Sequence, residues 1–125
     1  MKSGKYNFSK WILIICFFTS SLTAEEMSTY SKETLNHMER SSIKYCSSIN
    51  IESSALSKCI SKQRKSIIHL LKINSKYHST SRGDAAKEAI FKCLGSNMKM
   101  IKGVPSTNFN TVVTCIQSKG FKHNE

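Results

Sequence analysis

The sequence predicts an all-α domain: a small bundle of about four helices stapled by two disulfides, following an N-terminal signal peptide. Three observations carry this. The chain beyond residue 24 holds four cysteines, it contains a single proline, Pro105, and its apolar residues recur at helical spacing, with no sustained period-two alternation.

The first 24 residues, MKSGKYNFSKWILIICFFTSSLTA, open with Lys2, Lys5 and Lys10, continue through the apolar run Trp11 to Phe18, and end in small and polar residues up to Ala24. This is the layout of a secretory signal peptide, with cleavage expected after Ala24. The run falls well short of the roughly 20 residues a spanning helix needs. Removal of residues 1–24 leaves residues 25–125, a single domain by length. It takes away three of the nineteen basic residues and none of the eight acidic ones, so the balance falls from +11 to +8. Such a field favours acidic partners: an acidic protein face, a polyanionic glycan or an anionic membrane. Export sets genomic DNA and intracellular RNA aside as partners. The expected location is secreted or periplasmic.

Cys46, Cys59, Cys93 and Cys115 remain after cleavage. An even count in an oxidising compartment implies two disulfides. Three pairings are open. Cys46 with Cys59 and Cys93 with Cys115 would staple local hairpins, whereas Cys59 with Cys93 would tie the two best helices together.

A first helix is expected over about residues 30–46, with Leu35, Met38, Ser42 and Tyr45 as its stripe. A break follows at 47–50, where Asn50 is placed to cap the next helix. The second helix is the clearest. Leu56, Cys59, Ile60, Ile67, Leu70 and Leu71 share one face, interrupted only by Gln63. The opposite face carries Lys58, Lys62, Lys65, His69 and Lys72 at spacings of 4, 3, 4 and 3, a basic stripe by helical geometry. Residues 74–83, NSKYHSTSRG, are expected as a loop, with Ser81 and Asp84 fitting the ends of a capping box.

A third helix is expected from about Asp84 to Lys102, burying Ala86, Ala89, Ile90, Cys93, Leu94 and Ile101, with a bend or stop at Gly95. Met98 and Met100 are assigned to the core as gap-fillers. Pro105 breaks the chain. The last helix spans about Thr107 to Lys119, with Phe109, Val112, Val113 and Ile116 inward. Gly120 fits the left-handed position after it, and Phe121 can fold back onto the helix end. The text around three cysteines, LSKCISK, IFKCLGS and VVTCIQSK, places each beside an aliphatic residue, as expected for half-cystines on buried helical faces.

The sequence carries no G-x-S-x-G, H-E-x-x-H or phosphate-binding glycine loop, and its acidic residues are scattered. Glu33 and His37, four apart, read as a surface pair. The expectation is therefore a non-enzymatic protein with no cofactor and no metal site, of the binding or inhibitor and immunity type, docking an acidic partner through Lys58, Lys62, Lys65, His69 and Lys72. The alternative is a cationic membrane-active protein acting on anionic lipid. Saposin-like proteins differ in their paired early cysteines. In LKINSKY (residues 71–77) the Leu and Asn that are adjacent in LprI-type lysozyme inhibitors are separated, so neither comparison assigns a family.

Overall fold

The computed structural model describes residues 30–49 and 52–123; the signal-peptide segment and the expected cap Asn50 lie outside them. Helix α1 spans Lys32–Ile49, α2 Ser53–His78, α3 Gly83–Ser96 and α4 Phe109–Ser118. A two-stranded antiparallel hairpin, β1 Met98–Ile101 and β2 Val104–Thr107, separates α3 from α4. The mostly helical architecture and the two disulfides match the expectation. The hairpin does not.

Helix α1 starts at Ser31, whose Oγ accepts a hydrogen bond from the Thr34 N–H at 3.1 Å, the geometry of an N-cap. It buries Leu35, Met38, Ser42 and Cys46. It runs three residues past its expected end. Ser47 and Ser48 donate their hydroxyls to the carbonyls of Lys44 and Tyr45, which lets two poor helix formers stay in the helix.

Helix α2 packs against α1, α3 and α4, with Ile67, Leu70, Leu71 and Ile73 fully buried. It begins after Glu52, which makes no side-chain cap bond. It continues through residues 74–78, where a loop was expected. Tertiary contacts hold that last turn in place. The Tyr77 ring meets Phe121 edge-on at 5.2 Å, its hydroxyl donates to the Lys122 carbonyl at 3.3 Å, and the Arg82 guanidinium lies 4.4 Å above the Phe121 ring.

The residue flanking the start of α3 is Arg82, with no side-chain cap bond, so the Ser81–Asp84 capping box does not form. The turn after α2 closes instead through Thr80 and Gly83 N–H bonds to the Tyr77 and Thr80 carbonyls. Ala86, Ala89, Ile90 and Cys93 point inward, and the helix ends one residue after Gly95. The chain then turns into the hairpin. Lys102 and Gly103, both at positive φ (51° and 79°), form the two-residue loop, the pattern of a type I′ turn. Met98 and Met100 are exposed strand residues rather than core. Strand β2 lies against α1 and buries Ser106 and Thr107.

The four inward residues expected of α4 are all buried. The helix closes as a Schellman motif. Gly120 N–H bonds to the Gln117 carbonyl at 3.0 Å and Phe121 N–H to the Ile116 carbonyl at 3.4 Å, with Gly120 at φ 94°. Phe121 and Ile116 both sit in the core cluster. The disulfides are Cys46–Cys59, joining α1 to α2, and Cys93–Cys115, joining α3 to α4.

Candidate partner-binding groove

The basic stripe of α2 divides in two. Lys58, Lys62 and Lys65 are exposed, whereas His69 and Lys72 are half-buried. A helix packed on three sides has a narrow wet face, and the stripe drifts off it toward the C-terminal half. His69 turns to α4 and the end of the chain: its Nε2 lies 3.5 Å from Gln117 Nε2, and its ring stands edge-on to His123 with centroids 6.5 Å apart.

The three exposed lysines line an open groove of about 710 Å³ between α1, α2 and the start of α4. Its other polar contributors are Tyr45, Gln63, Ser66, Asn108 and Asn110, and among the described residues no carboxylate lines it. The Cys46–Cys59 disulfide, of which Cys59 lines the groove, covalently joins the α1 wall to the α2 wall. Beneath the lysines runs a fixed polar chain. The Tyr45 hydroxyl accepts from Asn108 Nδ2 at 3.0 Å, and Asn108 Oδ1 accepts from Gln63 Nε2 at 3.0 Å. Gln63 Oε1 in turn accepts from the Phe109 N–H at 2.7 Å. Asn108 Oδ1 also accepts from the Asn110 N–H at 3.1 Å, the N-cap bond of α4.

Sequence reasoning found the lysines but missed Tyr45, Gln63, Asn108 and Asn110. Two signals pointed to them. Gln63 is a lone polar residue on an otherwise apolar helix face, and Asn108 follows the Pro105 break at a capping position.

On the inner side of α2, Arg64 Nη2 lies 3.3 Å from Glu39 Oε2, and Glu39 is buried. This pair belongs to the α1–α2 packing and does not line the groove. Glu33 and His37 approach to 3.9 Å on the exposed face of α1. Among the described residues, no group of three or more His, Cys, Asp or Glu is placed to hold a metal ion. The arrangement can therefore offer an anion several ammonium donors above fixed amide and hydroxyl groups. No known protein family, curated protein or solved structure matches the chain.

Proposed function

We propose that this is an exported, non-enzymatic binding protein of the inhibitor or immunity type, and that it docks an acidic protein or glycan through the groove edged by Lys58, Lys62 and Lys65. The observation that carries this reading is the groove itself: three exposed lysines at one concavity with no carboxylate among the described residues of its lining. Ammonium groups at a groove attract carboxylates or sulfates and steer their approach. The walls are pre-organised by a disulfide and a hydrogen-bonded floor, which lowers the ordering cost of binding. His69 and Lys72 sit outside the groove, and Lys72 adds its charge to the field without lining it. Two disulfides, and the absence among the described residues of a helix long and apolar enough to cross a membrane, are compatible with an extracellular location.

The test is retention on immobilised sulfated glycan and on immobilised polyglutamate, read as the salt concentration that elutes the protein. Reversal of Lys58, Lys62 and Lys65 to Glu is compared with reversal of Lys87, Lys119 and Lys122, which changes net charge equally. The groove variant should elute at much lower salt than the control variant. Equal losses would mean that net charge alone is read and the groove is not the site.

A further inference from the structure

We propose that the β1–β2 hairpin together with Phe91 forms a second surface, one that docks peripherally on an anionic phospholipid bilayer. The first observation is where the exposed apolar side chains gather. Phe91 is 79% exposed, Met100 59% and Met98 45%. Phe91, Met98 and Pro105 line the same open groove, about 420 Å³, between α1, α3 and the hairpin. The strand register pairs Met98 with Thr107 and Met100 with Pro105, so these four residues share one hairpin face. Met100 thus carries the apolar strip from the groove toward the turn.

The second observation is charge. Between Glu88 and Glu125 the chain has no acidic residue, and the two charged residues of the hairpin are Lys99 and Lys102, both exposed. Of the four carboxylates on the flanking helices, Glu33 and Glu88 are each paired with a base, His37 at 3.9 Å and Lys92 at 3.0 Å, Glu39 is buried beside Arg64, and Asp84 stands at the far end of α3 from the hairpin, near Lys87. An apolar strip with Lys102 at its turn suits a bilayer surface, whereas Lys99, paired with Ser106, faces the other side of the hairpin. The apolar side chains enter the acyl boundary while the Lys102 stem lets its ammonium group reach the phosphates.

Other occupants fit less well. A second copy would meet the strip with the same excess of positive charge, since the exported chain, without residues 1–24, carries +8. A structured protein partner would find no hydrogen-bonding side chain on the strip itself, Phe91, Met98, Met100 and Pro105; of the groove's polar side chains Ser41 and Thr107 are buried, which leaves Thr34 and His37 on the α1 wall. A fluid bilayer needs no such side chain. With no helix among the described residues able to cross a membrane, the mode is surface docking. The hairpin and Phe91 lie on elements other than the lysine edge of α2, so this proposal and the groove reading can fail separately.

The test is vesicle flotation of oxidised protein from the exported fraction, with variants matched to wild type by intact mass. Vesicles are phosphatidylcholine alone or an equal mixture with phosphatidylglycerol. Wild type should partition onto the mixed vesicles about fivefold or more above the neutral ones, the scale expected of one lysine at an anionic surface. The double variant Phe91→Ser, Met100→Ser should lose that partitioning about tenfold while keeping its hydrodynamic size and unfolding temperature; Phe91→Leu should retain most of it. Three results would overturn the proposal. One is equal binding to both vesicles, or to neither. Another is wild-type binding by the Phe91/Met100 variant, with loss confined to the Lys58/Lys62/Lys65 reversal. The last is a drop in hydrodynamic size in the Phe91/Met100 variant, which would place a second copy on this face.

Discussion

Gln63 closes the N-terminus of α4 from across the bundle: its Oε1 accepts the Phe109 N–H at 2.7 Å, forty-six residues further along the chain. The first N–H groups of a helix lack partners within it, and this one is buried. Gln63 is also buried, at 4% exposure, so the bond forms away from water. Gln63→Leu keeps the volume and strands the Phe109 N–H, at a cost of about 1–3 kcal/mol. For a domain this small, that lowers the unfolding temperature by about 4–8 °C per kcal/mol. Asn108→Ala removes the cap of the same helix, about 1 kcal/mol. Because Gln63 Nε2 donates to Asn108 Oδ1, the double variant should lose less than the two single losses combined. Thermal unfolding of the four proteins under non-reducing conditions checks both statements.

The disulfides close loops of similar length, with sequence separations of 13 and 22. In the chain-entropy picture their removal costs about 2.9 and about 3.4 kcal/mol respectively. Cys46→Ala with Cys59→Ala, and Cys93→Ala with Cys115→Ala, should therefore lower stability in urea by comparable amounts. Peptide mapping of unreduced protein should recover only the 46–59 and 93–115 pairs. A linked 59–93 peptide would contradict the fold.

Much of the fold was legible where a helix has one simple apolar face. Phe109, Val112, Val113 and Ile116 turned inward as their spacing implies, and Gly120 with Phe121 ended α4 as expected. The hairpin was not legible. Its strands are four residues each, too short to show alternation, and its Lys102-Gly103 loop is not one of the strong turn pairs. Once the chain pairs there, Met98 and Met100 leave the core to which a continuing helix would have assigned them. The reach of α2 through His78 was hidden for a different reason: what holds its polar last turn is Phe121 and Lys122, more than forty residues away. Of the basic stripe, the spacing located Lys58, Lys62 and Lys65 on an exposed edge. It could not reveal that α4 and the chain end would cover the side where His69 lies, nor that Gln63 was a cross-bundle cap rather than a flaw in an apolar face.

Tyr30 gives a pH test. It packs against the core, and burial pushes its phenol from 10.0 up to about 12. The folded chain thus holds this proton more tightly than the unfolded chain. Its contribution is fully present below pH 10 and is lost as pH rises through 12. At pH 11 the loss from this group is about 1 kcal/mol. Urea unfolding of wild type and Tyr30→Phe should give a stability difference that is constant from pH 7 to 9. It should then shift by that amount in favour of Phe at pH 11. A difference that stays flat to pH 11 would mean that Tyr30 is wet in the folded protein.

Two glycines of α3 should respond oppositely to alanine. At Gly83 an added Cβ would lie 2.7 Å from the His78 carbonyl oxygen and 2.8 Å from that of Tyr77. Both are backbone atoms at the end of α2 and cannot swing aside, so α3 can start this close to α2 only without a side chain. Gly83→Ala forces the two helix ends apart and should cost about 1–3 kcal/mol. At Gly95 a Cβ meets nothing within 4 Å, and the residue is exposed inside the helix. There glycine offers no packing advantage and leaves the unfolded chain needlessly free. Gly95→Ala should therefore stabilise, by up to about 1 kcal/mol, with the gain at the lower end because Ser96 is the last helical residue. Paired thermal melts under non-reducing conditions should show one variant below wild type and the other above it. Destabilisation by both would mean that Gly95 sits in a conformation the α-helical geometry of residues 83–96 does not describe.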